Sequence, residues 1–343
     1  MFQTQIILYL QSFASNGLTI LVRALTDLGD EKMLAGIIIL ITFGISYRKG
    51  LLIMQTFQWT LMLNIGFKNL FALPRPTYVQ GDIQNLQHSY FDQTPFNSTG
   101  ADKFLGPIDP QVVKSFRSQN SSDYGFPSGH TSAATALWGG IAMAFRNKSL
   151  CWLAIIISLL VGLSRMYLGR HFLGDVIGGL ALAGIILFFS NLIFFKGNYQ
   201  YLLFERETFS LKAGMTNLLT YSFMFILPFC LTLYSADIFG EEAGYLIGAN
   251  SALLLVLSKG MPKESGTLLQ RVFRVLLGAI LFFTMKEIMG GVIERFNLGE
   301  IGFFEDFLAA AIPTFTSFAG TILVGYKIKL YQKQTPTPIP DKS

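Results

Sequence analysis

Three short stretches of the chain carry residue types suited to handling a phosphate. They are Lys68-x6-Arg75-Pro76, Pro127-Ser128-Gly129-His130 and Ser164-Arg165-x5-His171-x3-Asp175. The chain has 3 histidines, and two of them lie in these stretches. Lysine offers phosphate a point charge, and arginine a planar fork that matches two oxygens. Lys68 and Arg75 are seven residues apart, which on a helix is two turns and one shared face. Pro74 and Pro76 then end that helix. Taken alone, Lys68 reads equally well as a lysine snorkelling to an interface. Arg75-Pro76 after it tips the reading to phosphate binding.

The second stretch opens an apolar helix, whose N-terminus offers unpaired N–H groups and the positive end of the dipole. Gly129 lets the backbone approach an anion closely. Ser128 is expected to cap the helix and to donate to a phosphate oxygen. His130 is placed to protonate a leaving oxygen. By itself this is also an ordinary helix start. In the third stretch His171 and Asp175 stand at i and i+4, on one helix face. A carboxylate that accepts from one imidazole nitrogen fixes the tautomer and leaves the other nitrogen free to attack. An isolated His–Asp pair is more often structural; three such stretches together argue for chemistry. Lys68, Arg75 and Arg165 balance a phosphate monoester, which carries nearly two negative charges at neutral pH. No carboxylate cluster suits Mg²⁺ and no His/Cys spacing suits Zn²⁺, so no metal or other cofactor is expected. His88, in a polar loop with no motif around it, reads as solvated.

The elements that must position these residues are apolar. Hydrophobic residues make up 51% of the 343-residue chain and charged residues 14%, against roughly 25% charged in soluble domains. Runs near bilayer length recur. The expected fold is all-α: a polytopic membrane helical bundle of about nine spans, at 32–47, 51–73, 129–146, 150–167, 172–195, 214–235, 242–258, 272–290 and 306–326. Residues 1–26 read as an interfacial amphipathic helix, with a tenth span as the alternative. Residues 30–195 then form the core that carries the motifs, with a long extracytoplasmic loop at 77–126. Residues 196–330 form a C-terminal bundle and 331–343 a disordered tail. A connection as long as 77–126 is usually a functional lid or disordered. Lys and Arg favour one set of loops, Arg48, Lys49, Arg146, Lys148, Lys259 and Lys263 among them. That bias puts the N-terminus outside, the C-terminus in the cytoplasm and all three motifs on the outer face. The net charge of +5 comes without a basic block, which argues against nucleic acid as a partner. Cys151 and Cys230 lie in apolar runs and read as packing residues.

Together the stretches resemble the signature of the type 2 phosphatidic acid phosphatase superfamily, which includes glucose-6-phosphatase and the vanadium haloperoxidases. Every motif position matches. The resemblance implies that His171 is the nucleophile and forms a phosphohistidine, with Asp175 orienting it. It implies that His130 protonates the leaving alcohol. Lys68, Arg75, Ser128, Gly129 and Arg165 would hold the phosphate. The implied activity is a phosphatase; a site at the membrane surface favours a phosphorylated lipid as substrate and partner, and basic, Ile/Phe-rich loops without an organelle signal favour a bacterial plasma membrane. A nine-span layout is similar to glucose-6-phosphatase and keeps a small sugar phosphate ester open as substrate. A phosphotransferase and a non-catalytic lipid-binding protein are the other readings.

Overall fold

The computed structural model describes residues 2–87, 94–101, 103, 106–118, 123–195, 220–296 and 305–334. His88 lies outside them. Every regular element in the described residues is a helix, and one isolated bridge joins Pro262 to Lys333. The chain runs through α1 (Gln5–Gln11), α2 (Asn16–Asp27), α3 (Glu31–Ile39, continued by a π-helical turn at Leu40–Ile45), α4 (Tyr47–Phe71), α5 (Pro76–Val79) and α6 (Pro110–Ser118). It continues with α7 (Gly129–Phe145), α8 (Lys148–Tyr167), α9 (Leu173–Ser190), α10 (Leu227–Tyr234), α11 (Ala236–Lys259), α12 (Leu268–Arg295) and α13 (Glu305–Lys327). Among the described residues, four segments are long and apolar enough to cross a membrane: Lys148–Tyr167, Leu173–Ile193, Leu268–Arg295 and Glu305–Lys327. Their outer faces leave Trp152, Ile156, Leu159, Phe188, Ile280 and Phe283 exposed, the surface a bilayer would cover.

The chain forms two compact units. One comprises Met1–Gly36 and Trp59–Ser190, the other Ile37–Gln58 and Asn191–Ser343. In the first, α7 packs on both α8 and α9. Close approach is possible because α9 presents Gly178 and Gly179 there. A Cβ on Gly178 would stand 2.4 Å from the Phe126 ring, and one on Gly179 2.8 Å from the Ser128 carbonyl. Small residues at such contacts are how apolar helices without a hydrophobic driving force pack. In the second unit, α11 and α12 both pack on α13. Thr267 and Gln270 form a capping box at the start of α12, satisfying two N–H groups that the helix start would leave open.

Residues 1–26 do not form one helix. Ser15 starts a second helix by accepting from the Leu18 N–H, so α1 and α2 are separate. Ile7, Val22 and Thr26 are buried, whereas Tyr9, Phe13, Ile20 and Leu21 are exposed. The described part of 77–126 is folded. Ile7, Val79, Ile83, Ile108, Val112 and Phe172 form one hydrophobic cluster, and Ala72, Phe116 and Tyr124 another. The loop therefore has its own apolar contacts, which polar composition alone did not suggest. Gln11 ties it down by donating to the Gln84 carbonyl at 2.8 Å and to the Tyr167 carbonyl at 3.0 Å.

Three further expectations are corrected. Cys151 and Cys230 are exposed on helix surfaces and do not pack in the interior. Residues 331–334 are not free tail: Tyr331 is buried and its hydroxyl donates to the Phe43 carbonyl at 3.0 Å. The third concerns Lys68 and Arg75. Helix α4 stops at Phe71, Ala72 turns to φ 50°, and Arg75 is extended at φ −80°, ψ 163°. Leu73, followed by Pro74, is barred from continuing the helix. Lys68 and Arg75 are thus on one helix and the segment after it, not on one helix face.

Candidate active site

All the motif residues belong to the first unit. The turn between α8 and α9 sets the centre. Gly169 has φ 75°, a left-handed conformation that glycine adopts without steric cost. A Cβ there would lie 2.4 Å from the Gln84 carbonyl. This reversal leaves Arg170 and His171 outside both helices, and Asp175 in the first turn of α9. His171 and Asp175 are therefore not partners on a helix face. Instead Asp175 Oδ2 accepts from the Phe172 N–H at 2.9 Å and from His171 Nδ1 at 3.4 Å. One carboxylate oxygen fastens both the helix start and the imidazole. Catalytic hydrogen bonds in ligand-free sites are often this long.

The opposite imidazole nitrogen is set by Arg75. Its Nη1 lies 3.2 Å from His171 Nε2 and donates to the Arg170 carbonyl at 3.1 Å. Guanidinium can only donate, so Nε2 must accept. The proton is then on Nδ1, facing Asp175, and the Nε2 lone pair points away from the carboxylate. His171 and Asp175 are buried. Burial first, and then Arg75, Arg165 and Lys68, push the His171 pKa well below its usual value, so the ring is neutral at pH 7.

The remaining motif residues are carried by the end of α4, the start of α7 and the end of α8. Asp175 O accepts from the Ser128 N–H at 2.9 Å, which seats the start of α7 on the start of α9. Ser128 does not cap α7 with its side chain. Its hydroxyl pairs with Thr131 Oγ1 at 2.9 Å, one turn along. Lys68 reaches α7 from α4: a Cβ on Gly129 would stand 3.6 Å from Lys68 Nζ. That is ordinary contact, so the neighbouring atoms do not require glycine at 129. Arg165 is buried, donates Nη1 to Thr26 Oγ1 at 3.2 Å, and has no partner for its Nε among the described residues. Ser164 donates to the Val161 carbonyl at 2.7 Å and supports the end of α8.

Five residues joined the site without a motif to announce them. Asp123 binds Arg75 Nε at 2.7 Å and Arg170 Nη2 at 3.3 Å. Burial alone would raise its pKa, but Arg75 and Arg170 hold it below the usual carboxylate value. Asn64, one turn before Lys68, donates to Ser132 Oγ at 3.0 Å. Thr26 supports Arg165. Gly29 lets the α2–α3 turn lie against α7, since a Cβ there would stand 2.7 Å from the His130 carbonyl. Arg170 adds a fourth cation. Its position beside His171, and the position of Asn64 four before Lys68, were signals available in the sequence. Asp123, Thr26 and Gly29 had none.

Residues 50–199 match the family model described as the PAP2 superfamily. That stretch, which holds all three motifs, is thus similar to the PAP2 superfamily, and the relatives below are similar over part of the chain. It is 44% identical over 78 residues to the undecaprenyl-diphosphatase BcrC of Bacillus subtilis, covering 22% of this chain and 39% of the relative. It is 34% identical over 104 residues to phosphatidylglycerophosphatase B of the same organism, covering 26% and 51%. It is 38% identical over 74 residues to the lipid A 4'-phosphatase of Porphyromonas gingivalis, covering 22% and 31%. The chain thus spans about half or less of the length of these relatives. No solved structure gives a significant match.

Proposed function

We propose that the chain is an integral membrane phosphatase that hydrolyses a phosphate monoester or diphosphate of a lipid through a phosphohistidine on His171. The observation that carries this reading is the tautomer of His171. A neutral imidazole, protonated on the side of Asp175, keeps its Nε2 lone pair on the side of the cations. Arg75 moves from Nε2 onto the phosphate as the ester enters. Nε2 then attacks phosphorus, the bond to the leaving oxygen breaks, and His130 supplies that oxygen's proton. His130 next takes a proton from water, which attacks phosphorus and breaks the P–N bond. Lys68, Arg75 and Arg165 with the Ser128 hydroxyl and the Gly129 N–H stabilise the equatorial oxygens as charge develops.

A lipid substrate is favoured over a soluble sugar phosphate. The relatives named above are called phosphatases of lipids, and Phe67, Leu70 and Phe71 are exposed on the turn of α4 that carries Lys68. In this reading about nine helices span the membrane and the site faces the outer side. The N-terminus is outside and the C-terminus cytoplasmic, following the lysine and arginine bias.

The test is phosphate release by the purified protein in detergent from a panel of lipid and sugar phosphates. His171→Ala is expected to lower it by about 10³-fold or more and to abolish acid-labile phosphoenzyme. Turnover retained in that variant would sink the mechanism. EDTA is expected to leave the rate unchanged, and a strict requirement for added Mg²⁺ would mean different chemistry.

A further inference from the structure

Gly129 opens α7, and the first N–H groups of a helix have no partner within it. The Ser128 N–H is already taken by the Asp175 carbonyl, so Gly129 supplies the first open N–H to an anion. Where that N–H points is decided by the peptide groups on either side of it. Both are fastened from α4 by a single side chain. Asn64 donates Nδ2 to the Pro127 carbonyl at 3.4 Å and to Ser132 Oγ at 3.0 Å. The Ser132 hydroxyl passes the bond on, donating to the Gly129 carbonyl at 3.0 Å. The Pro127 carbonyl can only accept, which fixes the amide with its nitrogen on that side. Its oxygen and the Lys68 ammonium both approach Gly129: a Cβ there would stand 3.7 Å from Asn64 Oδ1 and 3.6 Å from Lys68 Nζ. Asn64 and Ser132 are buried, whereas Lys68, Gly129 and His130 are partly exposed. An entering ligand meets the latter three and not the amide.

We propose that Asn64 is a positioning residue of the candidate site: it locks the Pro127–Gly129 backbone in register with Lys68, so that the cation and the open N–H act on one phosphate. Asn64 and Lys68 are four residues apart on α4, one turn of a rigid helix. The tether to the loop and the charge beside it therefore move together. The donors from Asn64 through Ser132 to Gly129 run in one direction, so each bond polarises the next. A neutral amide suits the role. An aspartate at 64 would set a carboxylate against the Pro127 carbonyl and beside the Lys68 cation, and a leucine would fill a similar volume without donating. A group misplaced by 1 Å in a reacting site costs about 10²-fold in rate. The loss falls on the step in which charge develops, because an oriented donor gains most of its effect there.

The role of Asn64 rests on the phosphatase reading for its chemistry, and the test separates the two. The full chain in detergent is assayed for phosphate release from the panel of lipid and sugar phosphates. Its affinities for orthovanadate and for inorganic phosphate are measured in parallel by isothermal titration calorimetry. Asn64→Leu is expected to lower kcat by about 10- to 100-fold with KM within about threefold. Binding of vanadate, which takes the five-coordinate shape of the transition state, should weaken by a similar factor, and that of inorganic phosphate by less than about threefold. Ser132→Ala should lower kcat by about tenfold. The double variant should be no worse than Asn64→Leu, because both substitutions cut one chain of bonds. If Asn64→Leu does not fold, Ser132→Ala alone carries the expectation that kcat and vanadate affinity fall while KM and phosphate affinity hold. A lower unfolding temperature with kcat per folded molecule and vanadate affinity unchanged would overturn the proposal, since Asn64 would then only pack α4 on α7. So would effects that multiply in the double variant. A wild-type chain that binds vanadate but releases no phosphate from any ester would sink the phosphatase reading alone, leaving the vanadate comparison to judge Asn64. One that binds neither anion would sink both.

Discussion

Each compact unit buries an arginine, and the two spend their hydrogen bonds differently. Arg274, in the second unit, donates Nε to the Leu330 carbonyl at 2.9 Å and Nη2 to the carbonyls of Ser265 and Leu330, at 2.8 and 2.6 Å. Its guanidinium also lies 4.0 Å from the centroid of the Tyr331 ring. Arg165, in the first unit, has one bond to Thr26, and its buried Nε has none among the described residues. An unpaired buried donor costs roughly 1–3 kcal/mol. A fold tolerates that cost where a ligand will supply the acceptor. The lesson is that burial of an arginine does not mark a site; unspent donors do.

Truncating both arginines tests the contrast. Arg165→Ala is expected to lower kcat/KM for a lipid phosphate by about 10²–10³-fold, with little change in unfolding temperature. Arg274→Ala should do the reverse. It frees the carbonyls of Leu330 and Ser265, costs about 1–3 kcal/mol of stability, and leaves kcat/KM per folded molecule unchanged. Thermal unfolding in detergent beside phosphate release separates the two. Comparable activity loss in both variants would break the comparison.

A smaller effect is expected one residue further out. Thr26→Val keeps the shape of the side chain but removes the acceptor of Arg165 Nη1. The expected outcome is about a tenfold fall in kcat/KM, carried mainly by kcat because Arg165 acts on the developing charge. A variant with wild-type kinetics would show that Arg165 orients itself without α2.

The smallest effect concerns pH. His171 has a folded pKa well below its usual 6.5, first because of burial and then because of Arg75, Arg165 and Lys68. Below about pH 6.5 the unfolded chain binds a proton here that the folded chain does not. This residue therefore adds nothing to the pH dependence of stability above that value, and lowers stability as pH falls from it towards the folded pKa. His171→Gln should flatten the fall in unfolding temperature between pH 7 and pH 5. An equally steep fall in the variant would mean that His171 is charged in the folded protein.

How much was legible beforehand differs by residue. The eight candidate site residues came from three stretches of chain, and the structure brings all of them into the first unit. The paired roles of His171 and Asp175 were readable, but their geometry was not. A helix face was expected, whereas the turn at Gly169 keeps His171 outside the helix and lets Asp175 bind the Phe172 N–H as well. Pro74 was read as a helix stop. What it implied for Arg75, an extended residue free to reach both Asp123 and His171, follows only when the loop is in place. The loop itself looked like a polar lid or a disordered stretch because its apolar residues, Ile83, Ile108, Val112 and Phe116, follow no single period. Ile83, Ile108 and Val112 become a core only against one another and against Ile7, far away in the chain, and Phe116 only against Ala72 and Tyr124.

The sequence by itself determined which side chains could hold a phosphate, where apolar helices run, and the family that the motifs resemble. Those are properties of residue type and short spacing, and they survive without knowledge of neighbours. The tertiary structure decided which nitrogen of His171 is free, which arginine donors remain unspent, and that Asp123 sits among the cations. Each of these depends on hydrogen-bond partners drawn from distant segments. A donor is satisfied or left open only once packing has brought its acceptor within about 3 Å.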